Sequence, residues 1–116
     1  MSRGKSRKQS QPTRLGDLEE YVLLAILNLK EEAYGTSIRE LLEEVTGRPI
    51  AIGVLYTTFD RLERRGLLRS WQGEATPVRG GRAKRYFAIE AEGVWALEAA
   101  VEMRHRLAPD FAVELR

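Results

Sequence analysis

Gly66 divides the chain into two kinds of pattern. Before it, apolar residues recur every three or four positions in three successive stretches, the spacing of a buried face on a helix. After it, residues 67–73 and 84–89 read as two strands, joined by a connection that holds Pro77 and the pair Gly80-Gly81. A last helical stretch follows at 91–107. Three helices, a hairpin and a fourth helix leave few options: a mainly α domain with a small β-hairpin at one edge.

The third stretch is the most informative. Ile52, Leu55, Phe59 and Leu62 fall at helical spacing and are expected to be buried, and Gly66 stops the helix. Its other face offers Tyr56, Thr57, Asp60, Arg61 and Arg64, a mixture suited to phosphates and base edges. A second helix ends just before it at Thr46-Gly47-Arg48-Pro49, and helix, glycine-containing turn, helix is the helix-turn-helix pattern. With the strand pair behind, the arrangement is that of a winged helix-turn-helix offering its third helix to a DNA major groove. No Ser, Thr, Asp or Asn precedes that helix, so its first N–H groups are left for water or a DNA phosphate.

The remaining segments read in order. Residues 1–14 carry Arg3, Lys5, Arg7, Lys8 and Arg14, with no acid and no apolar residue after Met1, and are expected to be a disordered basic arm. Such an arm suits DNA phosphates or a minor groove, and it also suits plain solubility. A first helix is expected over 17–29. Leu18, Val22, Ala25, Ile26 and Leu29 form its stripe, and Tyr21, Leu23, Leu24 and Leu27 widen that stripe beyond what one docking face needs. The surplus predicts a partner subunit on Leu23, Leu24 and Leu27. The second helix, capped by Thr36 or Ser37, is expected to bury Ile38, Leu41, Leu42 and Val45.

In the fourth helix Val94, Leu97, Ala100 and Val101 are expected to dock on the domain. Trp95, Ala96, Ala99, Met103 and Leu107 occupy a second sector, which points to a two-fold dimer through Trp95, Ala99, Met103 and Leu107. Trp95 also has the shape to stack a planar molecule, although an aromatic residue at such a position usually only packs. The domain limits that follow are an arm at 1–14, a DNA-binding domain at 15–90, and a dimerisation helix and tail at 91–116.

Arg79, Arg82, Lys84 and Arg85 crowd the hairpin with no acid after Glu74. Arginine forks suit phosphate oxygens and narrow minor grooves, so these four are expected at DNA. Gly80-Gly81 is not a P-loop, because no Lys-Ser/Thr follows and a strand rather than a helix comes next. The net charge is only +2; without the five basic residues of the arm, 14 basic residues face 17 acidic ones, a net −3. Affinity for nucleic acid must therefore come from local patches.

Other functions find little support. There is no cysteine, and the single histidine, His105, lacks ligand spacing, so neither a metal site, a cofactor nor catalysis is expected. No apolar run reaches the roughly 20 residues of a membrane span and no secretory leader is visible, so a cytoplasmic protein with no membrane partner is expected. The competing reading is a winged-helix module for protein–protein contact without sequence-specific DNA binding. Arg61, Arg64, Arg65 and the hairpin bases argue against it.

The segment Gly53-Val54-Leu55-Tyr56-Thr57-Thr58-Phe59-Asp60-Arg61-Leu62-Glu63-Arg64-Arg65-Gly66-Leu67-Leu68 resembles the recognition helix of the PadR family of bacterial transcriptional regulators. Gly80-Gly81-Arg82-Ala83-Lys84-Arg85-Tyr86-Phe87-Ala88-Ile89 is similar to that family's wing, and Tyr34-Gly35 fits its second-helix start. The resemblance spans roughly residues 15–107. It implies a winged helix-turn-helix with a C-terminal dimerisation helix. It further implies a homodimeric repressor of double-stranded DNA with Tyr56 and its neighbours at the operator, and release by a small aromatic effector. Thr57 stands where many members have proline, and Ala51 replaces a hydroxyl residue often found before the third helix.

Overall fold

A computed structural model describes residues 14–74 and 83–111. Its helices are α1 (Asp17–Leu29), α2 (Gly35–Thr46), α3 (Ile52–Arg64) and α4 (Ala91–Leu107), with a 3-10 turn at Lys30–Glu32. Strands β1 (Leu68–Gln72) and β2 (Arg85–Ile89) pair antiparallel, Leu68 opposite Ile89 and Gln72 opposite Arg85. The segment before α2 adds a short third edge: Tyr34 bridges Tyr86, and the Phe87 N–H donates to the Ala33 carbonyl at 2.9 Å. The expected limits of the first and fourth helices match, and the strands agree within two residues.

Helix α1 lies at the centre and packs on α2, α3, α4 and β2. Its Val22, Leu23, Ala25 and Ile26 join Ile38 and Leu42 of α2, Leu55, Phe59 and Leu62 of α3, and Leu67, Leu68, Phe87 and Leu97 in one core. Phe59 and Phe87, with ring centroids 4.2 Å apart, tie α3 to the hairpin. Gly66, at φ +77°, turns the chain from α3 into β1, a conformation that glycine takes without steric cost. Gly93 lets α4 lie against the start of the hairpin: a Cβ there would stand 2.2 Å from the Leu67 carbonyl oxygen.

Four expectations about burial need correction. Leu23, assigned to a partner-facing surface, is fully buried in the protomer's own core, because α1 is enclosed on more sides than one stripe suggests. Val45, at 73% exposed, lies in the last turn of α2, beyond the core. Ile52, at 45%, is the first residue of α3 and precedes the turn that meets the core. Val101, at 52%, falls where α4 leaves the domain; Gly93, Ala96 and Leu97 do the docking instead. Leu24, Leu27, Met103 and Leu107 are exposed, while Trp95 and Ala99 are half-buried.

Helix α2 also starts earlier than either proposed hydroxyl cap. Tyr34 precedes its first turn, and the Tyr34 N–H donates to Ser37 Oγ at 3.0 Å, so Ser37 works from inside the helix. Of the basic arm only Arg14 lies among the described residues, and its carbonyl accepts from the Arg65 guanidinium at 2.6 Å.

Candidate nucleic-acid interface

Helix α3 turns Leu55, Thr58, Phe59 and Leu62 inward and therefore leaves Gly53, Val54, Thr57, Asp60, Arg61 and Arg64 outside. Thr57, Arg61 and Arg64 thus share one exposed face, as their spacing predicts. Arg64 forms no ion pair with any described residue. Tyr56 differs from the expectation of a fully outward side chain. It is half-buried, its ring meets Phe59 edge-on at 5.2 Å, and its hydroxyl reaches over Gly35, where a Cβ would approach it to 2.5 Å. Tyr56 therefore wedges the crossing of α2 and α3, with its oxygen at the edge of that exposed face.

The start of α3 has no side-chain cap, as the sequence implies. Its approach is fixed from α2 instead. The Ile50 N–H donates to Glu43 Oε2 at 2.7 Å, and Arg39 Nε donates to the Ile50 carbonyl at 3.0 Å. Arg39 and Glu43, one helical turn apart and 3.4 Å from each other, hold both polar groups of one residue in the α2–α3 turn. Such charge-assisted hydrogen bonds are stronger than neutral ones.

The other end of α3 is held from α1. Glu19 is buried, accepts from Arg65 Nη1 at 2.9 Å, lies 3.7 Å from Arg61 Nη1, and also accepts the Gly16 N–H at 2.8 Å. Its neighbour Glu20, equally buried, pairs with Arg104 of α4 at 3.0 Å. Sequence reasoning singles out neither carboxylate, because their partners Arg65 and Arg104 lie far along the chain. Glu19 lies four positions before Leu23 and seven before Ile26, so its place on the apolar stripe was the available signal.

At the wing, Arg79 and Arg82 lie outside the described residues, and so do Gly80 and Gly81. Lys84 is exposed, with its Nζ 4.2 Å from the centre of the Tyr34 ring. Arg85 is placed differently from its expected role at DNA. It lies on the hairpin face that carries Phe87 and Ser70, turned towards α3, and contacts Glu63 at 2.9 Å and Asp60 at 3.3 Å. On the opposite face Trp71 stacks on Tyr86 with centroids 6.1 Å apart, and the Arg69 guanidinium lies 5.6 Å above the Trp71 ring.

The geometry is therefore an exposed helix face bearing Thr57, Arg61 and Arg64, clamped at both ends, with a hairpin alongside. Comparison with known proteins gives the same architecture. Residues 23–99 match the transcriptional regulator PadR-like family. Among solved structures, a PadR-family transcriptional regulator from Eggerthella lenta is 29% identical with a TM-score of 0.60, over 82% of this chain and 80% of that one. A PadR-like transcription factor from Bacteroides fragilis is 25% identical with a TM-score of 0.59, over 84% and 88%. H. salinarum RosR, at 24% identity, shares the fold with a TM-score of 0.63, over 83% and 79%. No curated protein sequence gives a significant match.

Proposed function

This chain belongs to the PadR-like family of transcriptional regulators, which are not enzymes, and from that premise we propose that it is a dimeric, cytoplasmic repressor of a pseudo-palindromic operator. The observation that carries the reading is the outer face of α3, where Thr57, Arg61 and Arg64 stand exposed beside the hairpin while the opposite face holds the core. Thr57 and the Tyr56 hydroxyl would meet base edges and sugar-phosphate, and Arg61 and Arg64 would hold phosphates. Lys84, with Arg79 and Arg82 from the sequence, would extend the contact to flanking DNA.

The proposed dimer uses exposed apolar residues of α1 and α4, Leu24, Leu27, Met103 and Leu107, with Trp95 and Ala99 half-buried. Pairing there would place two copies of α3 in successive major grooves, roughly 34–36 Å apart. Release by a small aromatic effector stacking on Trp95 rests on the family resemblance. A fluorescence titration of wild-type and Trp95→Phe protein against a panel of arene ligands tests it: quenching must be lost in the variant.

The DNA reading is tested by binding to fluorescent duplex that carries the region upstream of the protein's own gene, across a salt series. Affinity well above that for random duplex, falling steeply with salt, supports it. Absence of binding even at low salt replaces it with the protein-interaction reading.

A further inference from the structure

Arg85 is one of the four wing bases, and its sign alone suggests a phosphate contact. Its surroundings give it another task. The guanidinium donates to three neighbours: Nη2 lies 2.9 Å from Glu63 Oε1 and 3.3 Å from Asp60 Oδ1, and Nε donates to Ser70 Oγ at 3.1 Å. The Ser70 hydroxyl donates in turn to Glu63 Oε1 at 2.8 Å, and the guanidinium carbon stands 4.9 Å from the centre of the Phe87 ring. Asp60 and Glu63 belong to α3, Ser70 to β1 and Arg85 to β2. One side chain therefore joins the reading helix to both strands of the wing.

The charge balance argues the same way. Two carboxylates face one guanidinium, so the cluster is net negative. For Arg85 to grip a phosphate it would have to leave Asp60 and Glu63 unpaired beside a polyanion, where like charges repel. A planar fork satisfied on several sides is a fixed joint, and lysine, a single compact charge, cannot reproduce it. An antiparallel pair of two short strands is weakly self-supporting, so its angle to α3 is set by what it packs on. Phe87 against Phe59 supplies the apolar half of that seat and Arg85 the polar half.

We propose that Arg85 is a positioning residue that sets the angle between wing and α3 through Glu63 and Asp60, and that it governs sequence discrimination rather than phosphate affinity. This rests on the DNA-binding reading above.

The test is the full chain binding two duplexes, the region upstream of its own gene and a random duplex of equal length, each across a salt series. Wild type is compared with Glu63→Gln and Arg85→Lys, each checked by thermal melting for an intact fold. Glu63→Gln is expected to lower the ratio of upstream to random affinity on the order of tenfold, the size of losing one well-read base pair. Its salt slope should stay that of wild type. Arg85→Lys should fall between the two in that ratio, again with an unchanged slope. A phosphate contact predicts the reverse: Glu63→Gln frees Arg85 and strengthens both duplexes, with a steeper slope and no loss of discrimination. That result overturns the proposal and leaves the DNA reading intact. Equal weakening on both duplexes, which a purely structural role would give, also overturns it. Wild type that does not distinguish the two duplexes removes sequence-specific recognition, and the proposal with it.

Discussion

The two halves of α4 have the same helical geometry and opposite surroundings. In residues 91–100, Gly93, Ala96 and Leu97 are buried, and Gly93 touches the Leu67 carbonyl so closely that no side chain fits. In residues 101–107 every side chain is exposed, including Val101, Met103 and Leu107. A helix of 17 residues is about 25 Å long, far more than this small domain needs to close its core. The first half belongs to the protomer's fold. The second stands clear of the core, and among the described residues the ion pairing of Arg104 with Glu20 and, at 3.9 Å, Asp17 ties it to the domain.

Substitutions that strike one half and spare the other put that division at risk. The largest effect is expected from Gly93→Ala, whose Cβ would overlap the Leu67 oxygen and lie 2.7 Å from Ile89 Cγ1. The loss should be about 3 kcal/mol, read by urea denaturation; a change within experimental error would mean that α4 is not seated as described. Next comes Met103→Glu combined with Leu107→Glu. These residues make no contribution to the protomer core, so the far-ultraviolet spectrum should be unchanged while dissociation of the proposed dimer rises on the order of a hundredfold in sedimentation equilibrium. Unfolding in place of dissociation would join the two halves into one cooperative unit.

Arg104→Ala should cost about 1–2 kcal/mol in thermal denaturation, because Glu20, with a side chain 6% exposed, then keeps a buried carboxylate without its partner. The smallest effect is Val101→Ser, expected to stay within about 0.5 kcal/mol at protein concentrations where the chain is monomeric. A loss above 1 kcal/mol would restore Val101 to the docking sector that the helical wheel assigns to it.

These contrasts also show what could be read beforehand. Both outer helices were legible to the residue, because clear breakers bound them: Gly16 and Pro109 flank them at a distance of one or two residues. The orientation of α3 was legible for the same reason, since Leu55, Phe59 and Leu62 share one stripe. The width of a face was not. A repeat identifies the direction of burial, but how far along the helix the neighbours extend depends on tertiary packing, which is why Val45, Ile52 and Val101 emerge exposed and Leu23 buried. Polar partners were the least legible part. Sequence shows the sign of Arg85 and not the two carboxylates facing it, although strand alternation with Phe87 already placed it on the inner face. Glu19 and Glu20 are illegible for the same reason, since Arg65 and Arg104, which pair with them, stand far away in the chain.

The clasp of Ile50 by Arg39 and Glu43 has a further consequence, for the evolution of this helix rather than its stability. In most helices the residue before the first turn is bound to a structural task, and losing it costs about 1 kcal/mol. Here no side chain caps the helix and its approach is fixed from the neighbouring helix through Ile50, leaving Ala51, Ile52, Gly53 and Val54 at the surface without a polar side-chain role. The opening turn of the helix is thus a region in which substitutions accumulate cheaply. A lineage that keeps Arg39 and Glu43 is free to rewrite those four positions without passing through an unstable ancestor.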